Sequence, residues 1–514
     1  MRAIETDVLV IGTGFGAAAP ALRLAKAGLR VRMLERGPRI DPNRDFRQTQ
    51  DPEYLLKYLK GVSGDGLSLT YAEALGGGSG FYEMVSLRAP SLAFEQVDQN
   101  GARLWPAGVD RSAMDPFYDI AEQMLRVEQI AVDEVPRSGL VFATMMKNLG
   151  YSCDRARYAV RNCVGSGYCV TGCIYGAKQT LLMNYLPQAV SAGAQIETDV
   201  DAQLIRPIDD RSYRAADGPI HTLPLRYEVL AVHRSTGQRR RYRARVVILG
   251  AGTVGSARLL MGSHRQLPDL SDQLGRNVAF NGGVKAAALL SDELPDGDLF
   301  TGRSHPGMIS YEFLRSHGLT IATAKPLPLQ LVASARIRLD GDPRHPSYWG
   351  EANLELMRRC RRRLMVLVAF GMTPPIGTLR LRNDGDVVPH LDVTDDLRTY
   401  YDETTALLNS IFDRNRCRLI KADFLRGDGQ PHGDLHFSTA HQVGSCRMAN
   451  TRASGVVDAT GEVFGYPGLF VSDGAIIPSS LAVNTSLTIL ANAERVAAEM
   501  VRRFRPVRHI AARG

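Results

Sequence analysis

Long apolar segments, aromatic residues and paired cysteine patterns are all scarce in this chain of 514 residues. The longest apolar run, at 364–372, is too short to span a bilayer. Seven cysteines, an odd number spread over a long chain, do not suggest a disulfide framework. The first residues have no apolar signal region and no small-residue cleavage site, which argues against secretion. We therefore expect a cytoplasmic protein.

Aromatic residues make up 7% of the sequence and do not accompany the scattered lysines and arginines that produce a net charge of +8. Proteins that bind nucleic acid usually combine basic grooves with aromatic stacking residues, so we expect no nucleic-acid partner. The basic run Arg358–Arg363 would suit peripheral membrane contact, but a solvated helix face is the favoured interpretation. The sequence also lacks repeats and low-complexity tracts. With 44% hydrophobic and 23% charged residues, it is typical of a globular enzyme.

A strand–helix–strand unit is predicted at the start of the chain. The β-branched run 7–11 is followed by a segment with helical spacing that closes at Gly28, and a second apolar run follows at 29–34. Crossovers of this kind produce parallel sheets, so the unit indicates an α/β architecture.

The turn inside this unit has the spacing of a dinucleotide-binding site. Gly12 permits a tight turn, Gly14 lets the backbone approach a pyrophosphate, and Ala17 lets the helix pack closely on the strand. The helix N-terminus then offers free N–H groups to phosphates. Glu35, 21 residues after Gly14, can accept hydrogen bonds from both ribose hydroxyls of an adenosine.

This unit alone does not distinguish NAD from FAD. Two further glycine-rich turns occur, at 76–79 and 250–256, the second directly after an apolar strand. A long flavin dinucleotide buried across a domain interface needs several close backbone approaches. The three turns together therefore favour FAD.

Several motifs, in this order, resemble the glucose–methanol–choline oxidoreductases, especially the cholesterol oxidase and long-chain alcohol oxidase branches. They are GTGFGA, GGGSGFYEMVSLRAP, RNCVGSGYCVTGCIYGAKQT, VVILGAGTVGSARLL, HQVGSCRM and LFVSDGAIIPSSLAVN. The resemblance covers the first 280 and the last 80 residues and is patchy between them. This chain differs from the family at Tyr82, where the family usually has Asn, and at Thr485, where the family usually has Pro.

The resemblance implies an α/β (α+β overall) fold with two domains. Residues 1–280 and 431–514 would form a discontinuous, Rossmann-like FAD-binding domain. Residues 281–430 would form a substrate-binding domain built on an antiparallel sheet with helices, with parts of 41–70 and 100–195 contributing.

The expected FAD contacts come from the glycine turns, from Glu35 and from the matching family motifs. Asp473 and Gly474 would hold the ribityl and pyrophosphate end, and Val200 would meet the adenine through its backbone. A covalent histidyl link from the loop is not expected, because residues 72–93 contain no histidine. The predicted cofactor-binding residues are Gly12, Gly14, Phe15, Gly16, Glu35, Arg36, Gly77, Gly78, Ser79, Val200, Ala251, Asp473, Gly474 and Thr485.

Alcohol oxidation requires a base for the hydroxyl proton and a group that fixes the oxygen. A histidine with a pKa near neutrality can be the base. His441 and Asn484 are the candidates, and the family has His–His or His–Asn at these positions.

No metal site is expected. His432 and His436 have helical spacing, but Pro431 and Gly433 predict a turn there. The spacing of Cys163, Cys169 and Cys173 fits neither a zinc ribbon nor a ferredoxin run and favours a packed, glycine-rich loop.

The leading hypothesis is FAD-dependent oxidation of a small-molecule alcohol, bulky or lipophilic, such as a sterol, a terpenoid or a long-chain alcohol. The electron acceptor, oxygen or another molecule, is left open. The alternatives are oxidation of a sugar or aminosugar alcohol in a tailoring pathway and, in another class, a non-redox lyase of the hydroxynitrile lyase type, because one fold hosts several reactions.

Overall fold

The computed structural model describes residues 2–49, 51–208, 218–325, 337–339, 349–421 and 435–505. The first motifs form the predicted series of a strand, a glycine turn, a helix and a second strand. Within these ranges, no helix is both long enough and apolar enough to cross a membrane.

A mixed sheet carries the first and third glycine turns. Its strands are β1 (Ile4–Ile11), β2 (Val31–Leu34), β8 (Gln195–Glu197), β9 (Val200–Pro207), β10 (Tyr227–His233), β11 (Arg239–Leu249) and β21 (Leu469–Val471). The order is β8-β2-β1-β11-β10-β9, with β21 also pairing with β11. Pairing is parallel among β8, β2, β1, β11 and β21 and antiparallel at β10 and β9. The predicted parallel unit is therefore confirmed.

Helices from both ends of the chain cover this sheet. α1 (Phe15–Lys26) follows the first glycine turn, α8 (Gly252–Gly262) follows the third, and α12 (Ser486–Phe504) lies near the end of the described chain. Arg23 of α1 forms a bidentate ion pair with the buried Glu494 of α12, at 2.7 and 2.8 Å. The N-terminal and C-terminal motifs thus belong to one layered unit.

A second sheet is antiparallel throughout. Its order is β15-β19-β12-β16-β14-β13-β6. The strands are β6 (Asp154–Arg155), β12 (Val284–Leu289), β13 (Met308–Ser310), β14 (Leu319–Thr323), β15 (Arg338–Leu339), β16 (Leu364–Gly371) and β19 (Arg418–Lys421). Most of these lie within 281–430, and β6 comes from 100–195. The division of the chain into two domains remains a prediction.

Smaller strands surround the two main sheets. β3 (Leu59–Gly64), β4 (Leu67–Ala72) and β20 (Phe437–Thr439) form one sheet. β5 (Val127–Gln129) pairs with β7 (Arg157–Ala159), and β17 (Thr378–Leu381) pairs with β18 (Val387–His390).

The remaining helices lie mostly on the outside of the sheets. The basic run 358–363 ends the helix α10 (Glu351–Arg363), in which Leu356 and Cys360 are buried. The other helices are α2 (Pro42–Asp45), α3 (Pro52–Tyr58), α4 (Ser91–Phe94), α5 (Arg111–Leu125), α6 (Arg137–Asn148), α7 (Tyr185–Ser191), α9 (Leu314–His317) and α11 (Asp395–Arg414).

Candidate active site

A cavity of about 750 Å³ connects the glycine turns to His441 and Asn484. It is lined by residues of β1, α1, β4, α8 and the segments before α12. A volume of this size is within the range of cofactor and ligand sites. Nearly all predicted cofactor residues line it: Gly12, Gly14, Phe15, Gly16, Glu35, Arg36, Gly77, Gly78, Val200, Ala251, Asp473, Gly474 and Thr485.

The first and third glycine turns pack directly against each other. Gly12 has a φ of +104°, and a Cβ there would lie 2.3 Å from the Gly250 carbonyl oxygen. A Cβ on Gly250 would in turn lie 2.6 Å from the Cβ of Ala17. Small residues are therefore needed on both turns, and Ala17 packs against the neighbouring turn as well as its own strand.

Glu35 is buried at the end of β2, and its carboxyl group is held by two donors. The Thr13 hydroxyl donates to Oε2 at 2.5 Å, and the Gly37 N–H donates to Oε1 at 2.8 Å. Burial raises the pKa of Glu35 to about 7, although these hydrogen bonds oppose the rise. A buried carboxylate in the cavity wall is a suitable acceptor for ribose hydroxyls.

Thr13 is a site residue that the sequence analysis missed. Besides donating to Glu35, its hydroxyl accepts the Gly76 N–H at 2.9 Å. It therefore joins the first glycine turn, the acidic residue and the second glycine cluster. No sequence signal marks it, because its two partners lie 22 and 63 residues away.

Ser79 does not reach the cavity. It is fully buried, and its hydroxyl donates to the Gly76 carbonyl at 2.7 Å and accepts the Leu181 N–H at 3.2 Å. Its hydrogen bonds to Gly76 and Leu181 turn the side chain into the loop, and the expected contact of Ser79 with FAD stays a prediction. Its glycine neighbours Gly77 and Gly78 do line the cavity.

Asp473 connects the third turn to the C-terminal motif. Its Oδ2 accepts the Gly252 N–H at 2.7 Å and the Ser256 hydroxyl at 2.6 Å, and its Oδ1 accepts the Ala475 N–H at 2.8 Å. Burial raises the pKa of this carboxyl group. Its expected role at the ribityl and pyrophosphate end remains a prediction, but three donors of the chain already occupy the carboxylate.

Val200 and Arg36 also have partners within the chain. The Val200 N–H donates to the Glu35 carbonyl at 2.9 Å, so this group is not free for an adenine base. Arg36 Nε lies 3.3 Å from Glu73 Oε2 and 3.8 Å from Asp201 Oδ1. Both residues line the cavity, and their contacts with FAD remain predictions.

The Cys/Gly loop packs against the second glycine cluster. Lys178 is buried, and its ammonium group donates to the carbonyls of Gly80 at 2.6 Å, Tyr82 at 3.1 Å and Cys169 at 2.6 Å. All seven cysteines are free thiols. The loop is thus a packed support for the segment that follows the glycines.

Of the two histidines with helical spacing, His436 lies within the described residues. His436 is buried, and its Nε2 lies 2.8 Å from the Ser68 hydroxyl. His432, Pro431 and Gly433 lie outside the described residues.

His441 and Asn484 meet at the cavity wall, although 43 residues separate them. Asn484 Nδ2 lies 3.1 Å from His441 Nε2. The His441 ring also packs against Phe370 of β16, with 5.0 Å between ring centroids. Burial lowers the pKa of His441 to about 4, so the imidazole is neutral at physiological pH.

Two sequence models described as GMC oxidoreductase match residues 7–279 and 377–493. The chain is similar to a cholesterol oxidase of Mycobacterium tuberculosis, with 28% identity over 96% of this chain and 90% of that protein. It is also similar to a long-chain-alcohol oxidase of Arabidopsis thaliana, with 24% identity over 97% of this chain and 67% of that protein.

Among solved structures, a pyridoxine 4-oxidase from Mesorbium loti matches with a TM-score of 0.66 and 16% identity. The match covers 97% of this chain and 99% of that one. At this identity the match shows the fold. The two family models together span most of the sequence, and the cavity with its glycine turns and buried Glu35 fits FAD. The chain therefore belongs to the GMC oxidoreductase family and is an FAD-dependent oxidoreductase that acts on alcohols.

Proposed function

We propose that this enzyme oxidises a bulky or lipophilic alcohol, with His441 as the base and Asn484 as the residue that fixes the substrate oxygen. The observation that carries the proposal is the 3.1 Å contact between the two side chains at the wall of the cavity. The two groups are close enough to act on one oxygen atom.

The hydrogen bond between the two side chains defines the resting state of His441. The Asn484 amide nitrogen is a donor, so Nε2 is the acceptor and carries a lone pair, while Nδ1 carries the proton. The low pKa of His441 keeps this neutral form populated. The imidazole is therefore ready to receive a proton without a preceding deprotonation step.

The substrate hydroxyl replaces Asn484 as the donor to Nε2. Its proton moves to His441 as the C–H bond breaks, and the Asn484 amide donates to the substrate oxygen throughout. Bound FAD supplies the acceptor for the hydride. The alcohol thus loses two electrons and two hydrogens and becomes an aldehyde or ketone.

Neighbouring groups hold the base in position. The backbone N–H of His441 donates to the Thr439 hydroxyl at 2.9 Å, directly after β20. Phe370 packs against the ring from the second sheet and covers it with an apolar surface. A base held on two sides loses little entropy when the substrate binds.

Two facts support a lipophilic substrate. Phe370 places an aromatic ring beside the base, and the similar proteins include enzymes named cholesterol oxidase and long-chain-alcohol oxidase. The same names support oxygen as the electron acceptor. A sugar or aminosugar alcohol is the second candidate, because polar side chains such as Glu83 also line the cavity.

Anaerobic mixing of the FAD-loaded enzyme with a panel of sterols, terpenoid alcohols, long-chain alcohols and sugars tests the proposal. We expect the flavin absorbance to bleach with one lipophilic class, and His441→Ala to retain FAD but bleach about 10² to 10⁴ times more slowly. A lyase would convert its substrate without bleaching. Equal bleaching rates for wild type and His441→Ala would show that the base is another residue.

A further inference from the structure

A short segment, 279–281, pairs with the part of the chain that carries His441. Ala279 and Val443 exchange two backbone hydrogen bonds, in each of which an N–H donates to a carbonyl oxygen at 2.9 Å. Val443 comes two residues after His441. The position of the proposed base therefore depends on this pairing, although about 160 residues separate the two segments.

The other end of this segment, Asn281, holds the part of the chain that carries Asn484. The Asn281 side chain donates from Nδ2 to the Val483 carbonyl and accepts the Leu481 N–H at Oδ1, both at 2.8 Å. Its backbone N–H also donates to the Ser480 hydroxyl at 3.3 Å. These contacts fix the backbone directly before Asn484.

The backbone carbonyl of Asn281 adds a contact near the base. It accepts the Gly371 N–H at 2.8 Å. Gly371 directly follows Phe370, whose ring packs against the His441 ring. Asn281 thus connects to the surroundings of His441 through the main chain and to the Asn484 segment through its side chain.

The backbone conformation alone does not explain why residue 281 is an asparagine. Asn281 is 1% exposed and has a φ of +59°, in the left-handed region. Glycine adopts this conformation without strain, and asparagine tolerates it. Asparagine also supplies a donor and an acceptor in one rigid group, and both are used on the segment before Asn484. The residue type therefore matches the contact between the two segments.

We propose that Asn281 is a positioning residue of the active site, which sets the distance between the His441 imidazole and the Asn484 amide. The inference rests on the proposed function, because it assumes that these two groups act on one oxygen atom. Asn281 does not line the cavity, so it acts through Asn484. A displacement of about 1 Å at a reacting group can slow a reaction about 10²-fold.

Asn281→Gly tests the side chain, because glycine keeps the left-handed backbone and removes both side-chain hydrogen bonds. In the FAD-loaded enzyme, we expect anaerobic flavin reduction at saturating alcohol to be about 10 to 10² times slower. The limiting rate should change much more than the half-saturating alcohol concentration. Asn281→Asp keeps the bond from Leu481 and loses the donor to Val483, so its rate should be intermediate.

A double variant tests whether the effect passes through Asn484. In Asn484→Ala the amide is already absent, so adding Asn281→Gly should slow flavin reduction further by less than about threefold. A general loss of structure would instead slow both backgrounds by the same factor. Losses that multiply would therefore overturn the proposal.

Hydrogen exchange of backbone amides tests the link without turnover. In oxidised, FAD-loaded Asn281→Gly, residues 480–486 should exchange about tenfold faster or more, because two hydrogen bonds to this segment are lost. Asn277→Gly is the matched control. Asn277 also has a left-handed backbone, with a φ of +60°, but its side-chain amide donates to Gln273 at 3.0 Å, within its own turn.

We expect Asn277→Gly to match the wild type in the exchange of residues 480–486 and in the rate of flavin reduction. Unchanged exchange of these residues in Asn281→Gly, or wild-type reduction rates in this variant, would overturn the proposal. If Asn281→Gly exchanged faster throughout the chain, the same comparison would be made with Asn281→Asp. Faster exchange confined to 480–486 in an enzyme whose flavin no alcohol bleaches would contradict the proposed function alone.

Discussion

At the scale of single residues, burial in the cavity wall lowers the pKa of His441 to about 4, well below the usual 6.5. The base must be neutral to accept a proton, so the rate of flavin reduction should be constant near neutral pH. It should fall as the pH decreases through the pKa of His441 and the imidazole becomes protonated. Stopped-flow reduction between pH 4 and 8 measures this profile.

In His441→Ala the acid limb should disappear, provided that circular dichroism shows a folded protein at each pH. Asn484→Ala should also slow reduction, and the double variant should lose much less than the product of the two single losses, because both groups act on one oxygen. Strictly multiplicative losses would indicate that the two residues act independently.

Glu35 leads to a second prediction at this scale. Its pKa of about 7 means that acidification protonates the carboxyl group that we expect to accept the ribose hydroxyls. FAD affinity of the apoprotein should therefore fall as the pH decreases from 8 to 6, which fluorescence titration would detect. Glu35→Ala should weaken binding by roughly 1.5–3 kcal/mol and remove the pH dependence. Affinity that does not change with pH in the wild type would argue against the ribose role.

At the scale of elements, the N-terminal end of α1 packs against the C-terminal motif without space for a side chain. A Cβ on Gly16 would lie 2.3 Å from the Asp473 Cα, and the Gly16 carbonyl accepts the Ser472 hydroxyl at 2.7 Å. Gly16→Ala should therefore displace Asp473, which connects the third glycine turn to the C-terminal motif. We expect lower FAD content and a lower melting temperature.

Gly262→Ala is the control for Gly16→Ala, since Gly262 also belongs to a helix of this layer. Its nearest atom would be 3.9 Å from the new Cβ, so the substitution should be neutral or slightly stabilising. Similar FAD content in the two variants would contradict the packing argument.

At the scale of the whole molecule, a hydrogen bond ties the second sheet to the segment that carries Asn484. The Thr320 hydroxyl of β14 donates to the Ala482 carbonyl, and Ala482 has a φ of +55° two residues before Asn484. Thr320→Val should leave a buried carbonyl unpaired, which costs about 1–3 kcal/mol, and should shift Asn484. We expect slower flavin reduction with unchanged FAD affinity.

Thr323→Val provides the comparison on the same strand. The Thr323 hydroxyl has no hydrogen-bond partner in the described part of the chain, so its loss should change neither stability nor rate appreciably. If both variants reduced flavin equally well, the contact between the sheets would not position Asn484.

The amino-acid sequence by itself determined the strand–turn–helix unit, the acidic residue at the end of β2 and the family. These features depend on contacts between residues close in sequence, for which spacing and residue type are sufficient. The same holds for the basic segment 358–363, where helical spacing predicted a helix that the structure contains.

Only the tertiary structure decided which side chains face the cavity. The Ser79 hydroxyl accepts the N–H of the distant Leu181, the Asp473 carboxylate is occupied by the chain, and Thr13 and Glu83 line the cavity. Each outcome depends on hydrogen bonds or packing between segments distant in sequence. Local propensity carries no information about these contacts, because they form only when the two sheets and the C-terminal motif close around the cavity.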